Sequence, residues 1–521
     1  MTRTTYTALT LTALTATILT ITATTSPTRP TWWPILTALL VCAAASIAAC
    51  AIGATTAICA TMLSSRAQTL LDALFLFQLT VPPFIIGSLL KLILGRTSPL
   101  THLLPTTEFT GPTALILTYA IALTPPAHFG IRVALRGITA SHIDAARVAG
   151  LYGPHLLKIV LGHRLALATP CLIAFLFSIT MSDPVTPTLV APRLPFAASE
   201  IWFRAHAFDQ AHLEAGQALL LVIPHICVLA AALCTCRHLL LRNPELPESF
   251  RLHTTTADWS RPVGSHTWIP TTIVTIAATT SATLITIMIL IGSQSRGGPA
   301  ITEVVINTMG LAFLVLVLAL ALVLASLALH IRKHLGRAWG RHARRTIDSF
   351  FLTLLTLPGA TIGTGLRLSI HTPNPTLGNY TDTRLAGLLL ACLPAALALT
   401  YLLTVIIGPV LSRDDYEIAL LQGVRPLAAF IEVVLPRSTN IVICGFLVVF
   451  SQCAALAAPL LWVSPPDTPL VMLRLFKLLD AADYPDAFRI SATVSILVAT
   501  LAAAMRATIQ PHTPTRPKGR R

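Results

Sequence analysis

The stretch LTVPPFIIGSLLKL at residues 79–92 is matched by LTLPGATIGTGLRL at residues 355–368, and seven of the fourteen aligned positions are identical. Apolar residues match easily by chance, so the other matches are more informative. They are Pro82 with Pro358, Gly87 with Gly363 and the cations Lys91 with Arg367. Two such similar segments, far apart in one chain, predict an internal repeat.

A second correspondence lies downstream, with nearly the same shift along the chain. It joins HIDAARVAGLYGPHLLKIV, residues 142–160, to YEIALLQGVRPLAAFIEV, which begins at Tyr416. Asp144 then aligns with Glu417, and Gly150 aligns with Gly423. Two independent matches at nearly the same spacing predict that the chain is a tandem duplication.

The composition excludes an ordinary soluble protein. Of the 521 residues, 54% are hydrophobic and 11% are charged, whereas globular domains carry about 25% charged residues. Apolar runs of about 20 residues are long enough to cross a hydrocarbon layer of about 30 Å. Such runs satisfy their own backbone hydrogen bonds as helices. Twelve membrane spans are predicted, at 4–25, 32–62, 70–94, 111–129, 161–181, 216–236, 268–292, 308–330, 348–370, 384–410, 439–463 and 489–509. For residues 4–25 the alternative is a cleaved signal peptide.

The predicted spans divide into two units of six. The first unit covers residues 1–236, a polar linker covers 237–267, the second unit covers 268–509, and a basic tail covers 510–521. Six is an even number, so both units face the same way across the membrane. The prediction is therefore an all-α integral membrane protein built from two tandem parallel repeats, unlike the inverted repeats of many secondary transporters.

The net charge of +15 invites a nucleic-acid interpretation, but the distribution of the charge argues against it. Basic residues gather in alternate loops, most clearly in IRKHLGRAWGRHARRTI at 331–347 and HTPTRPKGRR at 512–521. Such a bias sets the orientation of membrane proteins, with basic loops in the cytoplasm. It predicts cytoplasmic termini and a lipid partner, and no nucleic acid.

The segments 141–163 and 414–437 are moderately polar and helix-compatible, and they lie between predicted spans on the basic side. Each contains an acidic residue followed by two small or apolar residues, three variable residues and a glycine. An acidic group early in a short helix is favoured by the helix dipole, and glycine permits a turn. In the second segment Leu435-Pro436 follows, and proline marks the start of a new element.

At these residues the sequence resembles the permease subunits of binding-protein-dependent ABC importers. Their signature reads Glu-Ala-Ala, three residues, Gly, nine residues and Ile-x-Leu-Pro. The second copy has Glu417-Ile418-Ala419, Gly423, Val433 and Leu435-Pro436 at that spacing. The first copy has Asp144-Ala145-Ala146, Gly150 and Val160, but Gly162-His163 stands where Leu-Pro is expected.

The resemblance implies a type I ABC-importer permease fold in a bacterial inner membrane, with the signature lying along the cytoplasmic face. There it would dock into an ATPase homodimer, while a periplasmic or lipid-anchored solute-binding protein delivers the solute from outside. The ATPase-coupling residues would be Asp144, Ala145, Ala146, Gly150, Glu417, Ala419, Gly423, Leu435 and Pro436.

Other function classes fit less well. The chain contains no G-x-x-x-x-G-K-[ST] loop for ATP phosphates and no nucleophile–base arrangement, so we expect no enzymatic activity and no cofactor in this polypeptide. Cysteines and histidines show no metal-ligand spacing. A secondary transporter usually carries ionisable residues near the bilayer midplane, and the predicted spans are nearly free of carboxylates. A membrane scaffold is the third alternative.

The solute is inferred from the resemblance alone. Two permease units fused in one chain are similar to the thiamine and iron(III) importer subgroup. Its iron branch often carries an acidic, glycine-containing stretch in the fifth span of each unit. Here FLFSITMSDP at 175–184 has only Asp183, and FLVVFSQCAA at 446–455 has no acid. The comparison favours thiamine or a similar small organic solute, with iron(III) as the alternative.

Overall fold

The computed structural model describes most of the two predicted units. The described residues are 32–95, 109–135, 140–151, 153–207, 211–242, 268–295, 301–333, 354, 357–371, 383–401, 418–429, 432, 458–463 and 469–509. Throughout these ranges the regular structure is helical and contains no strand. The predicted all-α class is confirmed for this part of the chain.

Eighteen helices with defined bounds lie in the described ranges. Those before the linker are α1 (Trp32–Thr61), α2 (Ser65–Leu79), α3 (Pro83–Leu94), α4 (Gly111–Leu135), α5 (Ala140–Val148), α6 (Gly153–Met181), α7 (Val185–Val190), α8 (Ala197–Ala207), α9 (Ala211–Leu220) and α10 (Val222–Arg242).

The helices after the linker are α11 (Trp268–Gly292), α12 (Ile301–Lys333), α13 (Gly359–His371), α14 (Thr383–Tyr401), α15 (Pro426–Ala429), α16 (Ala458–Val463), α17 (Val471–Asp480) and α18 (Tyr484–Ile509). Residues 418–421 are also helical. Helix α10 runs beyond the predicted end of the first unit at 236, and the rest of the predicted linker, 243–267, lies outside the described residues. The basic tail 510–521 also lies outside them.

Seven helical stretches in the described ranges are long and apolar enough to cross a membrane, and α2 with α3 makes an eighth if the bent pair counts as one span. The chain is therefore an all-α, multi-pass membrane protein. The predicted span 4–25 and most of 439–463 lie outside the described residues, as do parts of 348–370 and 384–410. For those four the number of spans stays a prediction.

The third predicted span, 70–94, is not one straight helix. Helix α2 ends at Leu79, and α3 leaves it at an angle of 101°. Pro83 occupies the first turn of α3, where its missing N–H costs no hydrogen bond, whereas neither Pro82 nor Pro83 could continue the ladder of α2. Pro82, which belongs to the repeated segment, therefore also lies at the break in the span.

Contacts between the long helices fix their relative directions. Helix α2 runs antiparallel to α4, because Gln78 Nε2 donates to the Ile121 carbonyl (2.8 Å) while Gln68 Oε1 accepts from Arg132 (3.1 Å). Helix α6 is antiparallel to α4 as well, since Tyr119 donates to Asp183 at one end (3.2 Å) and Arg164 donates to the Ala134 carbonyl at the other (3.5 Å).

These directions place α5, which connects α4 to α6, at the end of the bundle where α4 finishes and α6 begins. We call this the α5 end. A polar network ties three helices together there: Asp72 accepts from Arg132 (3.1 Å), and the fully buried His128 lies between Asp72 (3.4 Å) and Thr56 (3.0 Å).

The two halves of the chain share one apolar core. Its buried residues include Phe84 and Leu89 from α3 together with Val315 from α12 and Phe488 from α18. Polar contacts also cross between the halves. Ser281 on α11 donates to Gln78 on α2 (2.8 Å), and Thr361 on α13 donates to the Ala218 carbonyl on α9 (2.5 Å).

Helices recur in the second half of the chain at nearly constant spacing. Helices α7 and α16 are both six residues long and begin at residues 185 and 458. Helices α9 and α18 begin at 211 and 484, and α3 and α13 begin at 83 and 359. Equivalent helices also pack alike: α1 on α4 and α12 on α14, α3 on α7 and α13 on α16, α1 on α8 and α12 on α17.

The turn before α3 also recurs with the same hydrogen bonds. The N–H of Val81 donates to the Gln78 carbonyl, and the N–H of Leu357, its counterpart in the second half, donates to the Leu354 carbonyl. Gly87 lies where α3 approaches α7, and a Cβ there would overlap the side chain of Val190. The aligned glycine at 363 is buried in α13.

Candidate functional site

The first predicted coupling segment forms a short helix that ends in a glycine turn. Helix α5 ends at Val148, and the N–H of Gly150 donates to the Arg147 carbonyl (2.9 Å). The N–H of Leu151 reaches back to the Ala146 carbonyl (3.0 Å). This pair of bonds is the Schellman motif, which satisfies the last carbonyls of a helix.

The second predicted coupling segment makes the same turn at the aligned positions. The N–H of Gly423 donates to the Leu420 carbonyl (3.0 Å), and the N–H of Val424 donates to the Ala419 carbonyl (3.1 Å). A third bond, from residue 149 to 145 in one copy and from 422 to 418 in the other, also corresponds. The two segments therefore have one backbone conformation.

Glycine is required at both turns by the backbone. The φ angles are +80° at Gly150 and +82° at Gly423, in the left-handed region that disfavours residues with a Cβ. A Cβ added at either position would meet no atom within 4 Å. The requirement is therefore conformational, and both turns face open space.

Each turn presents a large apolar side chain two residues before its glycine. Val148 is 90% exposed and Leu421 is 87% exposed, and the two residues align with each other. Ile418 is 51% exposed on the second segment. Exposed apolar groups at matching places on two polar segments are typical of surfaces that bind another protein.

The acidic residue of the first segment does not lie where the sequence analysis expected it. Asp144 is in the middle of α5, and no acidic residue occupies the first turn. The interpretation that the helix dipole favours it is therefore wrong. Asp144 is exposed and faces Arg147 one turn later, with Oδ1 and Nη1 3.9 Å apart. Such an exposed pair leaves the carboxylate accessible to a partner.

The remaining predicted coupling residues divide into two groups. Ala145 is exposed and Ala146 is half-buried, whereas Ala419 is buried at 5% exposure. Glu417, Leu435 and Pro436 lie outside the described residues, so their coupling roles stay predictions.

Helix α5 is held to the bundle by a small apolar cluster. Ile143 on α5 packs with Leu156 on α6 and with Ala57 and Ile131 near the ends of α1 and α4. The cluster joins the turn at Gly150 to three long helices. The exposed face of α5 is therefore connected to these helices through packed side chains.

Asp183, the carboxylate that ends the fifth predicted span, is engaged within the protein. Its Oδ1 accepts from the backbone N–H of Val185 (2.9 Å) and of Thr186 (3.2 Å), at the start of α7. Its Oδ2 accepts from Tyr119 and from the Thr186 hydroxyl. These bonds make Asp183 a helix cap that fixes the path of the chain.

No family model, no curated protein and no solved structure matches this chain. Within the described ranges, no three His, Cys, Asp or Glu side chains lie close enough to share a metal ion. The two glycine turns and their exposed apolar residues are therefore the features on which a functional inference rests.

Both glycines are among the coupling residues predicted from the sequence, whereas Val148 and Leu421 are not. A signal for them was present, because each precedes its glycine by two residues in aligned segments. An apolar residue in a mostly apolar chain attracts no attention by itself. Its exposure in the folded protein is what distinguishes it.

Proposed function

We propose that the chain is the membrane-spanning permease subunit of an ABC importer, in a bacterial inner membrane with both termini cytoplasmic. It is built from two six-span repeats of the type I permease fold. A separate ATPase homodimer drives transport, and a periplasmic or lipid-anchored solute-binding protein delivers the solute.

One observation carries the proposal. The turns at Gly150 and Gly423 have the same hydrogen bonds, nearly the same backbone angle and the same exposed apolar position. A homodimeric motor has two identical docking surfaces, and it requires two similar elements on the subunit that it drives. A membrane scaffold has no such requirement.

The packing between the two halves also supports this arrangement. Helix α3 contacts α18, and its counterpart α13 contacts α9, which is the counterpart of α18. Such an exchange of equivalent contacts is typical of units related by a two-fold axis. With parallel repeats the axis runs along the membrane normal, so equivalent loops reach the same side.

Asp183 is not arranged like the ion-coupling carboxylate of a secondary transporter. Ion coupling needs an intramembrane carboxylate that binds and releases an ion. Both oxygens of Asp183 accept hydrogen bonds from neighbouring groups of its own chain. This arrangement favours a structural role.

Affinity purification of the full chain from its native membranes tests the proposal. We expect an ATP-hydrolysing protein to be enriched over a matched purification of an unrelated multi-pass protein. Replacing Gly150 and Gly423 together with bulky residues should leave ATP hydrolysis but uncouple it from uptake. Enrichment of no nucleotide-hydrolysing protein, or unchanged transport in the double variant, would contradict the proposal.

For the solute we propose thiamine or a similar small organic molecule, with iron(III) as the alternative. The support is the lack of an acidic, glycine-containing stretch in 175–184 and 446–455. The solute-binding protein that co-purifies with the chain gives the test. Thiamine should raise its melting temperature and ferric citrate should not, and the reverse result would assign the importer to iron.

A further inference from the structure

Helices α8 and α17 are counterparts in the two halves of the chain. They begin at Ala197 and Val471, and each follows a short helix, α7 or α16. When their first residues are aligned, six of the first eight positions have the same burial, including two buried residues first and an exposed residue seventh, at Phe203 and Lys477. This alignment is shifted by one residue from the spacing of the neighbouring helices α7 and α16, and the burial pattern is the reason for choosing it. In this alignment Trp202 corresponds to Phe476.

The two corresponding aromatic residues contact each other. The rings of Trp202 and Phe476 meet edge to face, with their centroids 5.3 Å apart and an interplanar angle of 84°. This is a favourable geometry for an aromatic pair. The contact joins one half of the chain to the other.

A contact between equivalent residues locates the symmetry axis. In an interface with two-fold symmetry, a residue touches its own counterpart only where it lies at the axis. Trp202 and Phe476 therefore lie where the axis between the two units passes. A solute path shared by two parallel repeats runs along the same line.

The pair lies at the end of the bundle opposite the α5 end. Helix α8 follows the end of α6, and Pro195 just before it accepts a hydrogen bond from Thr37 near the start of α1. In the other half, Thr308 near the start of α12 accepts from the N–H of Val471, the first residue of α17 (2.8 Å). Both short helices are thus anchored to long helices at this end.

Behind the pair lies the apolar core that the two halves share. Trp202 and Phe476 both pack against this core, which includes Val81 and Phe84 from the first half and Leu475 from the second. Both rings are half-buried, so each covers part of this apolar core.

We propose that Trp202 and Phe476 form the outer seal of the solute path, closing it on the axis between the two units. This proposal rests on the proposed function for the existence of a path. The seal needs bulky rings on both helices, since neither helix closes the axis alone.

Accessibility of a buried reporter to a membrane-impermeant thiol reagent tests the seal. Val81→Cys is introduced into the full chain, and intact cells are treated from outside with a sulfonate-bearing methanethiosulfonate. Labelling is read by mass spectrometry at residue 81, so the native cysteines do not interfere. With both rings present labelling should be slow, and Trp202→Ala with Phe476→Ala should accelerate it at least tenfold.

Two further variants make the result specific. Phe203→Ala, on the neighbouring residue of the same helix with 55% exposure, should leave labelling slow. Trp202→Phe should also leave it slow, because it keeps a ring at the axis. If the double alanine variant does not fold, Phe476→Ala alone replaces it, with the same acceleration expected.

Equal labelling rates with and without the two rings would overturn the seal. The assay needs no ATPase, so this failure is distinct from failure of the proposed function. Faster labelling together with no ATPase partner would keep the seal and remove the ABC assignment. Equal labelling together with a bound ATPase would remove the seal and keep the ABC assignment.

Discussion

Gly150 and Gly423 adopt nearly the same left-handed backbone conformation, with φ angles of +80° and +82°, although they belong to opposite halves of the chain. The same three backbone hydrogen bonds surround each of them. Neither turn is imposed by close packing, because an added Cβ would meet nothing at either site. The two conformations therefore follow from two similar local sequences.

Substituting alanine at either glycine should destabilise its turn. A residue with a Cβ in the left-handed region costs roughly 1–2 kcal/mol, while asparagine tolerates that region better than most residues. We expect Gly423→Ala to lower the free energy of unfolding, measured by SDS titration, by about that amount. Gly423→Asn should lower it less. Equal effects of the two substitutions would show that the left-handed angle is not what requires glycine.

Charge at the exposed apolar positions should block partner binding without unfolding the protein. Val148→Glu and Leu421→Glu change side chains that contact almost nothing in the chain. We expect the double variant to purify normally but to lose the co-purifying ATPase, measured by mass spectrometry of the eluate. Each single variant should retain one docking contact and show an intermediate loss.

Leu241→Glu is the matched control for these substitutions. Leu241 is 71% exposed near the end of α10, outside both turns. Its replacement should leave the co-purifying ATPase at the wild-type level. Loss of the partner in this variant as well would indicate a general effect of added charge rather than a docking surface.

The hydrogen bond between Gln78 and Ser281 should stabilise the contact between the two halves. Gln78 accepts from Ser281 and donates to the Ile121 carbonyl, so Gln78→Leu removes both bonds at a buried site. In membrane proteins such bonds contribute about 1 kcal/mol. We expect a fall of that order in the free energy of unfolding. Thr279→Ala, on the same helix but exposed, should have no effect.

Cys171 and Cys236 should form a disulfide under mild oxidation. Their Sγ atoms are 3.5 Å apart, on α6 and α10. Copper phenanthroline should link them, as measured by mass spectrometry of peptides under non-reducing conditions. Cys236→Ser should abolish the linked peptide and Cys234→Ser should not. A link to Cys234 in place of Cys236 would contradict the register of α10 against α6.

Glu200 on α8 should make stability fall as the pH rises. Burial raises the pKa of its carboxyl above 4.5, and the ion pair with Arg204 (3.4 Å) opposes this shift only in part. The folded protein then binds more protons than the unfolded chain between the two pKa values, so stability decreases across that range. Glu200→Gln should raise the melting temperature at pH 7, and the difference should shrink below pH 4.5. A pH-independent difference would contradict this.

Hydropathy predicted the long helices well where the chain is continuous. The span 268–292 coincides with α11, and 32–62 differs from α1 only at its last residue. Hydropathy did not reveal the break at Pro82-Pro83, because the residues on both sides of the break are apolar. What changes at the break is the direction of the backbone. It also ended the fourth span at 129, whereas α4, which contains Pro125 and Pro126, continues to Leu135.

The candidate site was predictable in its glycines and not in its contacts. A glycine at the end of a helical segment predicts a turn from the local sequence alone. The same glycine at the aligned position in the second half of the chain strengthens that prediction. The pairing of Trp202 with Phe476 depends on how two distant helices meet, which no local pattern records. The exposure of Val148 likewise depends on α5 packing through Ile143.

Helix α3 has consequences for the order in which the protein is made. Its 12 residues extend only about 18 Å, too little to cross the bilayer alone. Its partners are α4, α7, α11 and α18, and α18 is the last helix of the described chain. When the ribosome has synthesised α3, none of these partners yet exists, because all four follow it in the chain. The segment must therefore remain in an incomplete environment until α18 has been synthesised, and it reaches its final position only after α18 has entered the membrane.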